Sequence, residues 1–325
     1  MSIKPVWMRR PLMSVENDFL PFAVGGSANV TSQSAYAADT SLLQDGFSSG
    51  IANSADLNKV WRQSSIMSAV LAQFIVQQTG QPAIDDGTTA TLLANLMASV
   101  KSAATGRLLN VQVFDTPGAF TYMPIAGATT AIADVQAGAG QGGGSPATTG
   151  STVGCGTGGH SGARIVGKFS LSSITSLTGQ VGAGGSTGAA GASGQSGGSS
   201  SLGSLLSATG GPGGSPQGPT AGPVVVGNSS TLPSASAGTG VQIIIAQPGN
   251  SGMSAVIINS GAGYSGAGGL SPGYGGGTSV NGGTGTGNPG QQIGQGGSGA
   301  FTAVSGAAQV GGLGVRGRVV VYEYA

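Results

Sequence analysis

Charge is what this chain has least of. Only 6% of its 325 residues are Asp, Glu, Lys or Arg, against an ordinary share of ~25%. From Phe169 to Val315 there is none at all. The formal net charge is +1, so no basic field exists to draw in nucleic acid or anionic lipid. Cys155 and His160 are the sole residues of their kinds. That excludes an intrachain disulfide and argues against a Cys/His metal site, so neither metal nor cofactor is expected. Carboxylates are too sparse for glycosidic cleavage, which uses a positioned pair. Beyond residue 107 only Asp115, Asp134 and Glu323 are available, and no enzymatic activity is expected. Gly154, Gly156 and Gly159 fit a GxGxxG pattern, but with 65 glycines in the chain such a match carries no information without a βαβ context. Long apolar runs are missing too. Ile66–Val76 is too short to span a bilayer and is interrupted by Ser68 and Gln73. Met1–Pro11 carries Lys4, Arg9 and Arg10 with no apolar stretch, so it does not read as a signal peptide.

Glycine fills the space that charge leaves. Glycine with little charge can mean disorder, but disordered chains combine low hydrophobicity with high net charge. Here mean hydropathy is +0.18 and the apolar residues cluster, so an ordered fold is expected. The chain falls into unlike parts. Residues 1–54 read as an irregular arm, with a short helix over Ser34–Leu43. Residues 55–106 read as helical. Asn53 or Ser54 is placed to cap a helix over Ala55–Gln78, with Asp56 in its first turn and Gly80 and Pro82 beyond its end. Its apolar residues, including Leu57, Trp61, Leu71 and Phe74, recur near spacings of three and four. A second helix is expected from Thr88 or Thr89 to about Ala103. Two such helices form either a small hairpin packed on itself or part of a symmetric assembly.

Residues 107–325 alternate strand-like runs with glycine tracts. Strands are expected at Leu108–Phe114, Phe120–Met123, Thr129–Ala137, Ala163–Leu171, Ser176–Val181, Pro223–Val226, Val241–Ala246, Ser254–Ile258, Phe301–Val304 and Arg318–Tyr324, which suggests an all-β sandwich. The glycine tracts have a period. Gly182, Gly185, Gly188, Gly191, Gly194 and Gly197 fall on every third residue, and shorter runs repeat this around Gly159, Gly266 and Gly314. Three residues per turn is the period of the polyproline II conformation. Collagen shares that arithmetic but needs long proline-rich repeats, and the run from Gly182 to Gly197 contains no proline. A flexible Gly/Ser linker would need neither the period nor the interleaved strands. The expectation is therefore polyglycine II packing: short extended rods, side by side, with backbone groups paired between rods.

Several segments resemble bacteriophage tail-fibre proteins. Leu20–Gly25 (LPFAVG), Asn29–Val30 and the helix LNKVWRQSSIMSAVLAQFI are similar to N-terminal regions of that family. LLNVQVFDTPGAFTYMPIAGATTAIADVQAGAGQGGG and the closing GGLGVRGRVVVYEY resemble its C-terminal glycine-rich domain. The resemblance implies a virion component, assembled in the host bacterial cytoplasm, homotrimeric, and joined by its N-terminus to tail or baseplate proteins. Residues 1–54 would be the attachment arm. Residues 55–106 would oligomerise through Leu57, Trp61, Leu71 and Phe74. Residues 107–325 would bind a bacterial surface receptor, whether glycan, outer-membrane protein or pilus. A structural spacer carrying another adhesin is the alternative. Contact with a receptor would use neutral groups in the loops Ser145–Val153, Pro212–Pro223, Asn228–Thr239, Asn259–Tyr274 and Asn281–Gln292. Within these, Tyr264, Tyr274, Asn228 and Asn281 are the candidate receptor-binding residues.

Overall fold

The computed structural model describes residues 15–104, 106–272 and 283–325. The chain divides into two compact units, Met1–Thr105 and Gly106–Ala325. The first is helical and the second is β-structured, so the protein is mostly β-sheet with few helices.

In the first unit the expected helix over Ser34–Leu43 is split in two, α1 (Gln33–Ala38) and α2 (Thr40–Asp45). Asp39 breaks it: its side chain accepts from the Leu42 amide at 3.0 Å and so caps α2 rather than continuing α1. The long helix α3 spans Ser54–Thr79. The Asn53 side chain caps its start, and Gly80 ends it in the left-handed conformation, φ +66°. Helix α4 (Ala90–Ala103) packs on α3. Glu16–Asp18 pairs with Ala83 through two backbone hydrogen bonds of 3.0 Å.

Among its described residues the second unit holds sixteen strands in four sheets. β1 (Leu108–Phe114), β3 (Thr130–Gln136), β5 (Arg164–Ser170), β12 (Val241–Gln247) and β16 (Arg318–Tyr324) form an antiparallel sheet in the order β1-β16-β3-β5-β12. β2 (Gly118–Tyr122), β6 (Leu177–Val181), β7 (Ser200–Leu202), β8 (Leu206–Ala208) and β11 (Ala235–Ala237) form a second, in the order β11-β8-β7-β6-β2. Val135, Ile165, Phe169, Val319 and Val321 of the first share one core with Tyr122, Val181, Leu202 and Leu206 of the second. Two three-stranded sheets, β15-β4-β9 and β10-β13-β14, comprise β4 (Val153–Gly156), β9 (Pro216–Thr220), β10 (Val224–Val226), β13 (Ala255–Asn259), β14 (Ala262–Tyr264) and β15 (Phe301–Thr302). A smaller core of Val153, Cys155, Val226, Ala255, Ile257 and Phe301 joins them.

Extended glycine-rich segments run between the two sheet pairs. Segment 137–145 follows β3 and leads toward β4, 156–163 leads from β4 to β5, and 209–215 leads from β8 to β9. Segment 248–253 leads from β12 to β13, and 309–317 leads into β16. The larger sheets therefore lie at one end of the segments and the smaller sheets at the other. Both β1 and β16, where the chain enters and leaves this unit, belong to the larger end.

Segment 137–145 lies at the centre, and its hydrogen bonds have a period of three. The amides of Ala137, Gly140 and Gly143 donate to Ala163, His160 and Thr157. Those of Gly138, Gln141 and Gly144 donate to Gly198, Gln195 and Ala192, and those of Ala139, Gly142 and Ser145 to Val315, Gly312 and Gln309. All nine bonds measure 2.8–3.0 Å, ordinary for N–H···O. The carbonyls accept from three other segments: Gly138 and Gln141 from Gly211 and Gly214, Gly140 and Gly143 from Gly297 and Ala300, and Ala139 from Gly185. One segment thus has six neighbours, five of them met every third residue, and no backbone bond is made within the segment. Segment 156–163 repeats the pattern: Gly156, Gly159 and Gly162 donate to Ala300, Gly297 and Gly294, while Thr157, His160 and Ala163 donate to Ser215, Pro212 and Thr209. This answers the accounting that every buried peptide group imposes. It also explains the small residues. A Cβ on Gly297 would stand 1.9 Å from the carbonyl oxygen of Gly312.

The six-triplet run is not one rod. It turns back at Gly191, φ +77°, so that 182–189 and 192–199 lie side by side, linked by Gly198 N–H to Ala183 at 2.8 Å.

One carboxylate is buried in the larger sheet pair. Glu323 accepts from Asn110 at 2.7 Å, Gln112 at 3.2 Å, the Tyr122 hydroxyl at 2.9 Å and the Ile125 amide at 3.1 Å. Burial pushes its pKa up, but the four donors outweigh burial and hold it below the usual carboxylate value. A depressed carboxyl adds stability that is present above its unfolded pKa of ~4.3 and is lost as pH falls through the folded pKa. Acidification below about pH 4 is therefore expected to weaken this unit. Glu323→Gln should flatten that dependence and cost ~1–3 kcal/mol at neutral pH, because donors lose their acceptors. Denaturant titrations at neutral and acid pH check both.

Candidate functional site

The smaller sheets present an uncharged surface at the end of the unit opposite β1 and β16. In β10-β13-β14, Val225 pairs with Val256 and Val256 with Tyr264. Strand alternation puts Val224, Val226 and Ile257 toward the small core and leaves the row Val225, Val256, Tyr264 on the other face. Val225 is 69% exposed and Tyr264 49%, so this face is not covered by the described residues of the unit. Ile258 and Met253 are exposed beside it. The β13–β14 turn at Ser260 and Gly261 and the turns 146–152 and 303–308 lie at the same end. The last two are tied together by Thr148 N–H to Gly306 at 3.0 Å and Ser305 N–H to Thr149 at 3.1 Å.

The candidate residues fare differently. Tyr264 lies in this exposed row. The Asn228 side chain is engaged with backbone. Its amide donates to the carbonyls of Gly158 at 2.7 Å and Gly252 at 2.9 Å, and its oxygen accepts from the Ser229 amide. Those carbonyls lie on two neighbouring segments, 156–163 and 248–253, and the Asn228 side chain bonds to both. Tyr274 and Asn281 lie outside the described residues. Much of the expected loop sequence is scaffold instead. Ser145, residues 212–215, residues 265–270 and Asn288 all belong to hydrogen-bonded segments, and 216–220 is β9. Val225 and Ile258 were not among the candidates. The signal for Val225 was present in PVVVG: in a strand of three valines one must point away from its neighbours' side of the sheet.

Among the described residues no three of His, Cys, Asp and Glu gather to hold a metal ion. Asp134 is committed to Arg164 by two bonds of 2.9 and 2.8 Å, and Asp115 pairs with Arg316 at 2.7 Å. With Glu323 held as described, the three carboxylates of the unit are engaged separately, in the larger sheets or next to them. Burial pushes the Cys155 thiol up to about 12, far from a nucleophile's range. His160 is fully buried, its Nε2 facing the Ser229 carbonyl at 3.0 Å and the Ser251 hydroxyl at 3.3 Å.

The helical unit has a different surface. Among its described apolar residues only Ala72, Ile75 and Ala83 are buried. On α4, Leu93, Met97 and Val100 are exposed at spacings of four and three, and on α3 Met67, Val70 and Leu71 are exposed. Of the four residues read as oligomer contacts, Trp61 and Leu71 are exposed while Leu57 and Phe74 are half-buried. Trp61 meets Phe22 edge-to-face at 6.2 Å. Among the described residues no helix is long and apolar enough to cross a membrane.

The chain matches no protein-family model and no curated protein.

Proposed function

We propose that this chain is a non-enzymatic adhesion fibre of a bacterial virus. Its helical unit trimerises and its arm attaches to the tail. Its second unit is a polyglycine II bundle, closed at each end by a small β-sandwich, that carries the receptor-binding tip. The observation that bears most weight is segment 137–145, ringed by six neighbours, five of them met with a three-residue period. Such a lattice makes a stiff rod without a large apolar core. It also explains the absence of charge, since long ionic side chains would force the backbones apart. The uncharged row of Val225, Val256 and Tyr264 lies at the end of its unit opposite β1 and β16 and is where a receptor would be met. A pure spacer has no use for an exposed apolar row there.

Two measurements test this reading. The purified chain is expected to block adsorption of its virus to sensitive cells, and a spacer would leave adsorption unchanged. The exposed stripe on α4 is expected to lie in the trimer contact. Leu93→Glu with Met97→Glu should then shift the trimer toward monomers on dilution, as read by light scattering over a concentration series, because carboxylates cannot be buried there without partners. A dilution profile unchanged from the parent would place the helical contact elsewhere.

A further inference from the structure

Among the described residues, the sheet β1-β16-β3-β5-β12 has two unguarded edges. β12 is bonded on one side, to β5, and β1 on one side, to β16. In β12 every residue after Val241 is exposed, including three consecutive isoleucines: Ile243 at 53%, Ile244 at 51% and Ile245 at 36%. Consecutive exposed side chains mean that the described residues of this unit cover neither face of the strand there. Natural edge strands are guarded by charge, proline, short length or a bulge. The seven residues of β12 include no charge and no proline. A bulge between Ile243 and Ile245 is the one such device, and it leaves all three isoleucines in the open. β1 is also seven residues long and uncharged, with Val111 and Val113 exposed.

We infer that these edges pair with each other between copies of the chain, β12 of one copy against β1 of the next, in a ring of three. The ring size rests on the trimeric reading above; the pairing rests on the sheet. All four strand pairings are antiparallel, so β1 and β12, first and fifth in order, run in the same direction. Rotation about an axis along the strands brings β12 of one copy beside β1 of the next as a parallel pair, with neither inverted. The edges match in length, direction and uncharged apolar character, and one chain supplies both halves of the contact. A β12–β12 contact would instead need a two-fold axis and would leave every β1 edge open. Head-to-tail contacts either close into rings or run on as filaments, and closure removes every free edge of this sheet.

Cysteine cross-linking of the full chain tests the pairing. Val111→Cys or Val113→Cys is combined with Ile243→Cys or Ile245→Cys, so that four combinations span the register. Within one chain β1 and β12 are four strand spacings apart, roughly 19 Å, well beyond the ~7 Å Cα limit of a disulfide. Cys155 is buried and stays out of the reaction. Mild oxidation of at least one combination is expected to give covalent trimers on a non-reducing denaturing gel, with each single variant remaining monomeric there. Covalent dimers from Ile243→Cys alone, a ladder beyond three, or no cross-link in any combination would each overturn the pairing. Light scattering of the reduced variants separates the two ideas: trimers by mass without cross-links refute the edge pairing and leave the trimeric reading standing, whereas monomers refute both. Melting curves matching the parent chain show that the exposed substitutions have left the fold intact.

Discussion

Gly297→Ala is expected to be among the most damaging single-methyl additions this protein can suffer. The new Cβ would lie 1.9 Å from the Gly312 carbonyl oxygen and 2.4 Å from its carbon. Both are backbone atoms, so no side chain can swing aside. Nor can the segment shift. Gly297 donates to Gly140 at 3.1 Å and accepts from Gly159 at 2.9 Å, and its neighbours Gly296 and Gly299 are bonded to Gly269 and Gly266. Overpacking a close-packed interior costs about 1–3 kcal/mol and sometimes more. With neighbours fixed on all sides, the upper end or beyond is expected here. Gly142→Ala, whose Cβ would fall 1.9 Å from the Ser298 carbonyl oxygen, should behave alike. The controls are Gly222→Ala and Gly227→Ala. Neither would meet an atom within 4 Å, and neither glycine has a positive φ. These should be neutral, or gain ~0.4–1 kcal/mol by restricting the unfolded chain. Thermal or denaturant unfolding of the four variants measures the contrast. Equal effects at all four sites would mean that glycine serves flexibility rather than close backbone approach.

The second large effect is expected at the tip. Tyr264→Ala and Val225→Lys should each weaken the chain's ability to block virus adsorption by about tenfold or more, the scale of a buried interface anchor. Lysine at 225 would place an unpaired charge in a contact built from neutral groups. Neither change should alter stability by more than ~0.5 kcal/mol, because both side chains are largely exposed. Trimers should persist in both. Raising the salt several-fold should hardly change blocking by the parent chain, since no charged residue lies between Phe169 and Val315. Undiminished blocking by both variants would remove this face from the contact and leave the turns at the same end.

The periodic part of the fold was legible because it has a single physical cause. Where a segment faces its neighbours on one side, as 182–189 does, glycine returns every third residue. The central segment lacks that signature for the same reason. Residues 137–145, AGAGQGGGS, touch neighbours on all sides, so nearly every position is small and no triplet stands out. Gln141 is the exception and works as a plug: its amide donates to the Gly311 carbonyl at 3.1 Å and its oxygen accepts from the amides of Gly188 and Gln195, each at 3.1 Å. The turn at Gly191 was hidden because a glycine at a positive φ and a glycine at a close approach look alike in sequence. Long strands such as Leu108–Phe114 and Arg318–Tyr324 were readable from their apolar runs. Ser200–Leu202 and Ala235–Ala237, three residues each, were not, because tertiary pairing rather than local propensity makes them strands. Tyr264 is a candidate by residue type, while its exposed place beside Val256 depends on the pairing of β13 with β14. Asn228 could not be sorted in advance, since its role depends on carbonyls far away in sequence that only the fold brings within reach.

Hydrogen exchange across residues 137–145 tests the central claim most directly. In the intact chain the account requires all nine consecutive amides to exchange as slowly as those of the core strands β3 and β16, although no residue of the segment belongs to a helix or sheet. Exchange at the rate of an unstructured glycine peptide would contradict it.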